Sequence, residues 1–297
     1  MSNKPTQKLI NYGSVSFSLV GLKALMSDLN AIVSEQGEIE LAQTKKRDDQ
    51  TQEDHEEFLA RARTDIFKIL ATVNYSDGSS VHTSDPVDIE FDAEGHLIES
   101  FYVSNVTPYK QNVGFDPSHY FHLFLDFSQP PLLDAAQLIS SPTANNTHLD
   151  IRGRRAGWRT AIEEAVSKRI KKRRHIRNLF HKGFIYDFGL LLMGLPASIY
   201  ACWYASPFIQ KHFGNANAVV TSAAYLYVGF CALWFYRLLF SYTKWAFPLV
   251  ELTDQDTRPK FHRKIWWTIV TVLAGKLFWD LGDPYVSLPL WWKALNP

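Results

Sequence analysis

Ionisable residues at short spacings are where chemistry would start, and four groups in this chain invite the test. In EDHEEFLA, His55-Glu56 opens like a zinc-protease helix, but the second histidine, needed one helical turn later, is replaced by Leu59. Asp88, Glu90 and Asp92 alternate with Val87, Ile89 and Phe91. Three carboxylates could hold calcium, yet even spacing on one side of an extended segment describes the solvated face of a strand. Asp116, His119 and His122 crowd the stretch DPSHYFH; on a strand, 119 and 122 point to opposite faces, which weakens a shared metal.

The fourth group lies in apolar surroundings: Asp187, Arg237, Lys276 and Asp280. No Walker loop, GxGxxG fingerprint or GxSxG elbow occurs. No catalytic, cofactor or metal-ligating residue is therefore assigned, and a non-enzymatic protein is expected. A membrane-tethered enzyme with a dispersed site is the remaining catalytic alternative.

What must position these residues is set by an uneven charge distribution. The net charge of the 297 residues is +1. Residues 1–150 hold 10 Lys/Arg against 22 Asp/Glu, a net of −12, whereas residues 151–182 hold 12 against 2, a net of +10. The basic run KRIKKRRHIR meets an apolar one almost without a spacer. Such asymmetry points to a membrane or to nucleic acid.

The apolar runs decide between them. Residues 184–206 and 218–240 carry one charge each, Asp187 and Arg237, and 23 helical residues reach roughly 34 Å, enough for a hydrocarbon core of about 30 Å. With the short loop between them they read as a transmembrane hairpin. Basic residues precede the first run and follow the second, while the loop holds only Lys211. Both hairpin ends are thus expected in the cytoplasm, with the basic helix 154–182 against anionic lipid headgroups. Membrane lipids, not nucleic acid, are the expected partner of the basic run.

Within the hairpin, Asp187 and Arg237 fall at matching depth near the cytoplasmic end, and they are expected to pair. Gly194, Ser198, Cys202 and Ser206 form a stripe of small residues suited to close helix packing, against the second run or another copy in a homo-oligomer. Pro196 should bend the first run. Residues 265–280, IWWTIVTVLAGKLFWD, are either a third span or an interface-lying helix, with Lys276 and Asp280 as pore-facing or interface charges. The segment 241–252 and the closing DPYVSLPLWWKALNP suit the headgroup layer.

The first 153 residues read as an acidic α+β domain. Leu19, Leu22, Leu25, Met26, Leu29, Ile32 and Val33 step by three and four, an amphipathic helix. From residue 64 the texture is β-rich: a strand before the Asp77-Gly78 turn, a hairpin over 87–104, and a strand at 122–127. A helix from about 155, with Trp158, Ile162, Val166 and Ile170 at four-residue steps, should run on into the first span as a basic stalk. An antiparallel meander with flanking helices is the expected fold.

The segment LINYGSVSFSLVGLKALM is too interrupted for a secretory signal, which places this domain in the cytoplasm. Cys202 and Cys231 both sit in apolar runs and suggest no disulfide framework. The function expected is a cytoplasmic sensing or interaction domain, binding an unknown protein or small ligand, coupled to a transmembrane hairpin. A bacterial inner membrane is the expected location. An oligomeric, pore-forming effector is the alternative.

Overall fold

The computed structural model describes residues 6–91, 95–132, 142–172, 175–255 and 258–282. The chain opens with β1 (Thr6–Asn11), β2 (Val15–Phe17), α1 (Leu19–Leu41) and α2 (Gln52–Asp65). It continues through β3 (Leu70–Tyr75), β4 (Ser80–Thr83), β5 (Ile98–Ser104), α3 (Val106–Val113), β6 (Tyr120–Asp126), β7 (His148–Gly153) and α4 (Ala156–Arg169). Next come β8 (Lys171–Lys172), α5 (His175–Phe180), α6 (Gly183–Gly189), α7 (Leu195–Phe213), α8 (Ala218–Ala246), β9 (Val250–Leu252) and α9 (Arg258–Gly282).

Six strands form one sheet in the order β1-β7-β6-β5-β3-β4, every neighbouring pair antiparallel. Alternation along the strands puts Ala71, Val73, Phe101, Val103, Phe121, Leu123, Leu149 and Ile151 on one face. Against that face α1 lays Leu22, Leu25, Met26 and Leu29, and α4 lays Trp158, Ile162 and Val166, to make the core. The helix start at residue 19 is written locally: the Ser18 hydroxyl accepts from the Gly21 amide at 3.0 Å.

The expected strand over 87–91 does not form. Asp85 caps a short 3-10 turn at Pro86–Asp88 by accepting from the Val87 amide, because proline fixes its own φ and supplies no ladder donor. Ile89 is buried while Val87 and Phe91 stay exposed, so the alternation carries no strand. The Asp88 carboxylate accepts from Thr83 at 2.6 Å; Asp92 lies outside the described residues. β5 instead pairs on one side with β3 and on the other with β6.

The sheet is followed by two long apolar helices. α6 and α7, joined through a π-helical stretch at Leu190–Gly194, make one helix of 31 residues, and α8 makes a second of 29. Both are long and apolar enough to cross a membrane. The π stretch directly precedes Pro196 and re-routes the Leu195 amide to the Leu190 carbonyl, five residues back. A wider turn of this kind accommodates a proline ring that would clash with an α-helical carbonyl. The helices also run past the expected ends: α7 continues through Pro207 to Phe213, leaving 214–217 as the connection.

Candidate functional site at the junction of sheet and apolar helices

The chain enters and leaves the apolar helices through a second, three-stranded sheet in the order β8-β2-β9. β2 lies between the strand that leads to the helices, antiparallel, and the strand that returns from them, parallel. The segment 241–252, expected at the headgroup layer, is therefore helix to Ala246 and then a strand inside the protein. Leu249, Val250 and Leu252 belong to the same core as α1 and the six-stranded sheet. The expected continuous stalk is also broken. α4 ends at Arg169, Ile170 is extended, and β8 follows.

One carboxylate organises this junction. Glu251 sits in the middle of β9 with its side chain 5% exposed. Its Oε2 accepts from Arg177 Nη1 at 2.9 Å, and its Oε1 accepts from Arg263 Nη2 at 2.8 Å. Burial alone would raise the Glu251 carboxyl. The hydrogen bonds and charge of the two guanidiniums reverse that and hold it below the usual carboxylate range. Arg263 Nε also donates to the Ala246 carbonyl at the end of α8, and both guanidiniums lie over the Phe247 ring. One glutamate thus ties the segment before the hairpin to the helix after it.

Two further ties close the junction. Asp254 accepts from the Leu19 amide at 2.9 Å, adding a second cap and a negative charge to the N-terminus of α1. His181 is buried between Thr143 Oγ1 (2.8 Å, at Nδ1) and the Phe247 carbonyl (2.8 Å, at Nε2). The carbonyl requires an N–H on Nε2; in the neutral ring Nδ1 then accepts from the Thr143 hydroxyl. Burial pushes its pKa down, with the Phe247 bond opposing and nearby Lys244 and Arg177 adding to the depression.

Part of the basic run serves this architecture. Arg169 grips Asp28 on α1 at 2.7 Å, and Arg177 grips Glu251. These residues are positioned by internal carboxylates far away in sequence, which a count of basic residues does not reveal. The only local signal for Glu251 was a single acid inside the apolar run FPLVEL.

Between α7 and α8 the small residues face inward. Ser198 donates to the Gly229 carbonyl at 3.1 Å, Cys202 Sγ donates to the Tyr225 carbonyl at 3.3 Å, and Ser206 Oγ meets the Tyr225 hydroxyl at 2.8 Å. A methyl group on Gly194 would meet the Tyr236 ring at 3.3 Å, and one on Gly189 would collide with the Tyr236 hydroxyl. The stripe of Gly194, Ser198, Cys202 and Ser206 thus packs against α8 of its own chain. Tyr236 donates to the Tyr186 carbonyl, which brings the neighbouring Asp187 and Arg237 to the same end of the hairpin; Asp187 is exposed and Arg237 half-buried.

α9 runs beside the hairpin. Near the junction Trp266 donates to Thr243 and Tyr242 meets His262. Farther out, Lys276 and Asp280 pair at 3.0 Å, Tyr200 of α7 donates to Asp280, and Lys276 lies over the Tyr204 ring. Residues 265–280 accordingly pack along the hairpin to about the middle of α7.

The remaining candidates separate. Asp116 pairs with Lys110 at 3.1 Å. His119 and His122 lie on opposite sides of the sheet. His119 is buried, with Nδ1 against Glu40 at 2.9 Å and Nε2 accepting from the Arg155 amide at the start of α4. With Nε2 accepting from a backbone N–H, Nδ1 is left to donate to Glu40, and both nitrogens are taken by structural partners. Burial raises the Glu40 carboxyl, but its bonds to His119, Gln36 and Ser118 outweigh this and lower it. His122 stands on the open face with Tyr102 at 2.7 Å, its pKa pushed down chiefly by burial. No three His, Cys, Asp or Glu converge to hold a metal among the described residues.

Two surface cavities stand out. One of about 280 Å³ lies along α2 and reaches Asn112 of α3, beside Phe58, Arg61 and Ala62. The other, of about 190 Å³, opens at the junction beside β9. No family model, curated protein or solved structure matches the chain.

Proposed function

We propose that this is an integral membrane protein, non-enzymatic, in which α6–α7 and α8 form a transmembrane hairpin and the sheet unit is a sensing or interaction domain on the cytoplasmic side. The bacterial inner membrane is the membrane it suits, with exposed basic residues such as Lys168, Lys182 and Lys264 facing anionic headgroups. Asp187 and Arg237 then mark the cytoplasmic boundary and pair across it.

The observation that carries the reading is the outward surface of the two helices. Trp203 is 69% exposed and Phe230 66%, amid Ile199, Phe208, Leu226 and Tyr227. Water does not tolerate a continuous apolar surface of this extent, whereas lipid covers it without cost. A change of state in the domain would reach the hairpin through β9 and Glu251, since a ligand shifts an equilibrium only by binding one state better than the other. The test is extraction of membranes from expressing cells with alkaline carbonate. Retention in the pellet supports the reading, and release into the supernatant refutes it.

A second reading, a pore-forming oligomer, is favoured by one observation: α9 carries the Lys276–Asp280 pair along the hairpin to the depth of Tyr200. Charges at that depth mark ion pathways in membrane proteins. If overproduction collapses the membrane potential and Lys276→Leu abolishes the collapse, this reading displaces the first. An undisturbed potential removes it.

A further inference from the structure

We propose that the cavity beside β9 is the binding site of the domain, and that it takes a neutral, ring-sized molecule bearing a carboxamide. The inference deepens the sensing reading above by naming its ligand class, and rests on that reading for its consequence. Ile98, Phe127, Val250 and Leu252 supply apolar walls from the large sheet on one side and the junction strand on the other. At about 190 Å³ the space suits a single ring, since an apolar cavity of about 150 Å³ holds benzene.

The polar features select the substituent. Gln255 is 6% exposed, lines the cavity, and its Nε2 has no hydrogen-bond partner. A buried amide donor left unsatisfied is costly, and a turn of the Gln255 amide about its last torsion would bring it to the cavity, where a ligand carbonyl would satisfy it. Glu99 lines the cavity as an exposed residue, and the other carboxylate of the lining, Glu251, is already engaged by Arg177 and Arg263. A carboxylate there repels an anionic ligand and accepts from an N–H, so an amide fits both ends while a carboxylic acid fits only one. Val250 and Leu252 flank Glu251 on β9, so occupancy bears directly on the strand that returns from the hairpin.

The test uses the full chain in lipid nanodiscs, with ligand-observed NMR of benzamide and benzoate and empty nanodiscs as the blank. Saturable binding of benzamide but not of benzoate is expected. Gln255→Leu should weaken benzamide about tenfold, the equivalent of one hydrogen bond, without lowering the melting temperature, because it removes an unpaired donor. Glu99→Gln, at an exposed position, should admit benzoate. Equal benzamide binding by the wild type and Gln255→Leu overturns the proposal, as does absence of saturable binding or continued exclusion of benzoate by Glu99→Gln. A fluorine label on Cys231 reads the hairpin separately. Benzamide binding that leaves this signal unchanged keeps the site and refutes the sensing reading.

Discussion

The sheet unit and the helical hairpin sort the same kinds of residue in opposite directions. In the first, Leu22, Phe101, Phe121 and Leu123 are shut away from solvent and the charges lie outside. In the second, Ser198 and Gly194 are buried at the helix contact while Trp203, Phe230 and Trp234 face outward. Each region places outward what one solvent would accept, water for the sheet unit and, on the function proposed above, hydrocarbon for the hairpin. Small residues inside the hairpin follow from that: with no hydrophobic force between helices in lipid, close backbone approach and hydrogen bonds must hold them. The three-stranded junction is where the two regions meet, and its edge strand β9 carries the buried charge of Glu251.

The contrast can be broken most forcefully in the core. Phe121→Ala should cost about 3–5 kcal/mol, read by denaturant unfolding, whereas Trp203→Ala in lipid should stay within about 0.5 kcal/mol. Equal losses would erase the distinction between the regions. Next in size, Glu251→Leu leaves two guanidiniums facing each other without their carboxylate and should cost about 3 kcal/mol.

The same cluster sets a pH dependence. The folded Glu251 carboxyl lies below its unfolded value, so its stabilisation is present above the ordinary carboxylate range and is lost as pH falls through the folded value. His181, depressed by burial, adds an earlier loss: its neutral form is favoured in the folded state, so stability begins to fall once pH drops below its unfolded value of about 6.5. Thermal melts carried from pH 7 down to about pH 2 should show both phases, and His181→Gln should remove only the upper one.

Smaller effects sharpen the account. Gly229→Leu would press on Ser198 Oγ, which stands 3.2 Å from the nearest substituent carbon, and on Cys202. It should cost about 1–3 kcal/mol by overpacking, seen as loss of hairpin protection from protease in lipid, with little change in unfolding of the sheet unit. Ser18→Ala should cost about 1 kcal/mol through the lost cap of α1, less than usual if Asp254 still holds the Leu19 amide.

Much of this architecture was legible in the residues. Long periodic signals carried through: α1 follows the three-and-four spacing of its leucines, and the two apolar runs became helices with the small stripe at their contact. What escaped was short or distant. β2, β8 and β9 have two or three residues each and lie in segments separated by more than seventy positions, so no local pattern announces their pairing. The alternation of 87–91 misled because Pro86 and the Asp85 cap outweigh it. Basic residues were countable, but the carboxylates that engage Arg169 and Arg177, on α1 and β9, were not. Gln255 lies in the polar stretch TDQDTRPK, and only burial gives its amide significance.

The central claim is that the hairpin crosses a bilayer with the sheet unit on the cytoplasmic side. It is tested most directly by labelling single cysteines in intact cells, with Cys202 and Cys231 replaced. Ala216→Cys, in the turn between α7 and α8, should react with an impermeant maleimide, while Glu90→Cys should react only after the membrane is opened. Labelling of Glu90→Cys in intact cells, or protection of both positions, would contradict the account.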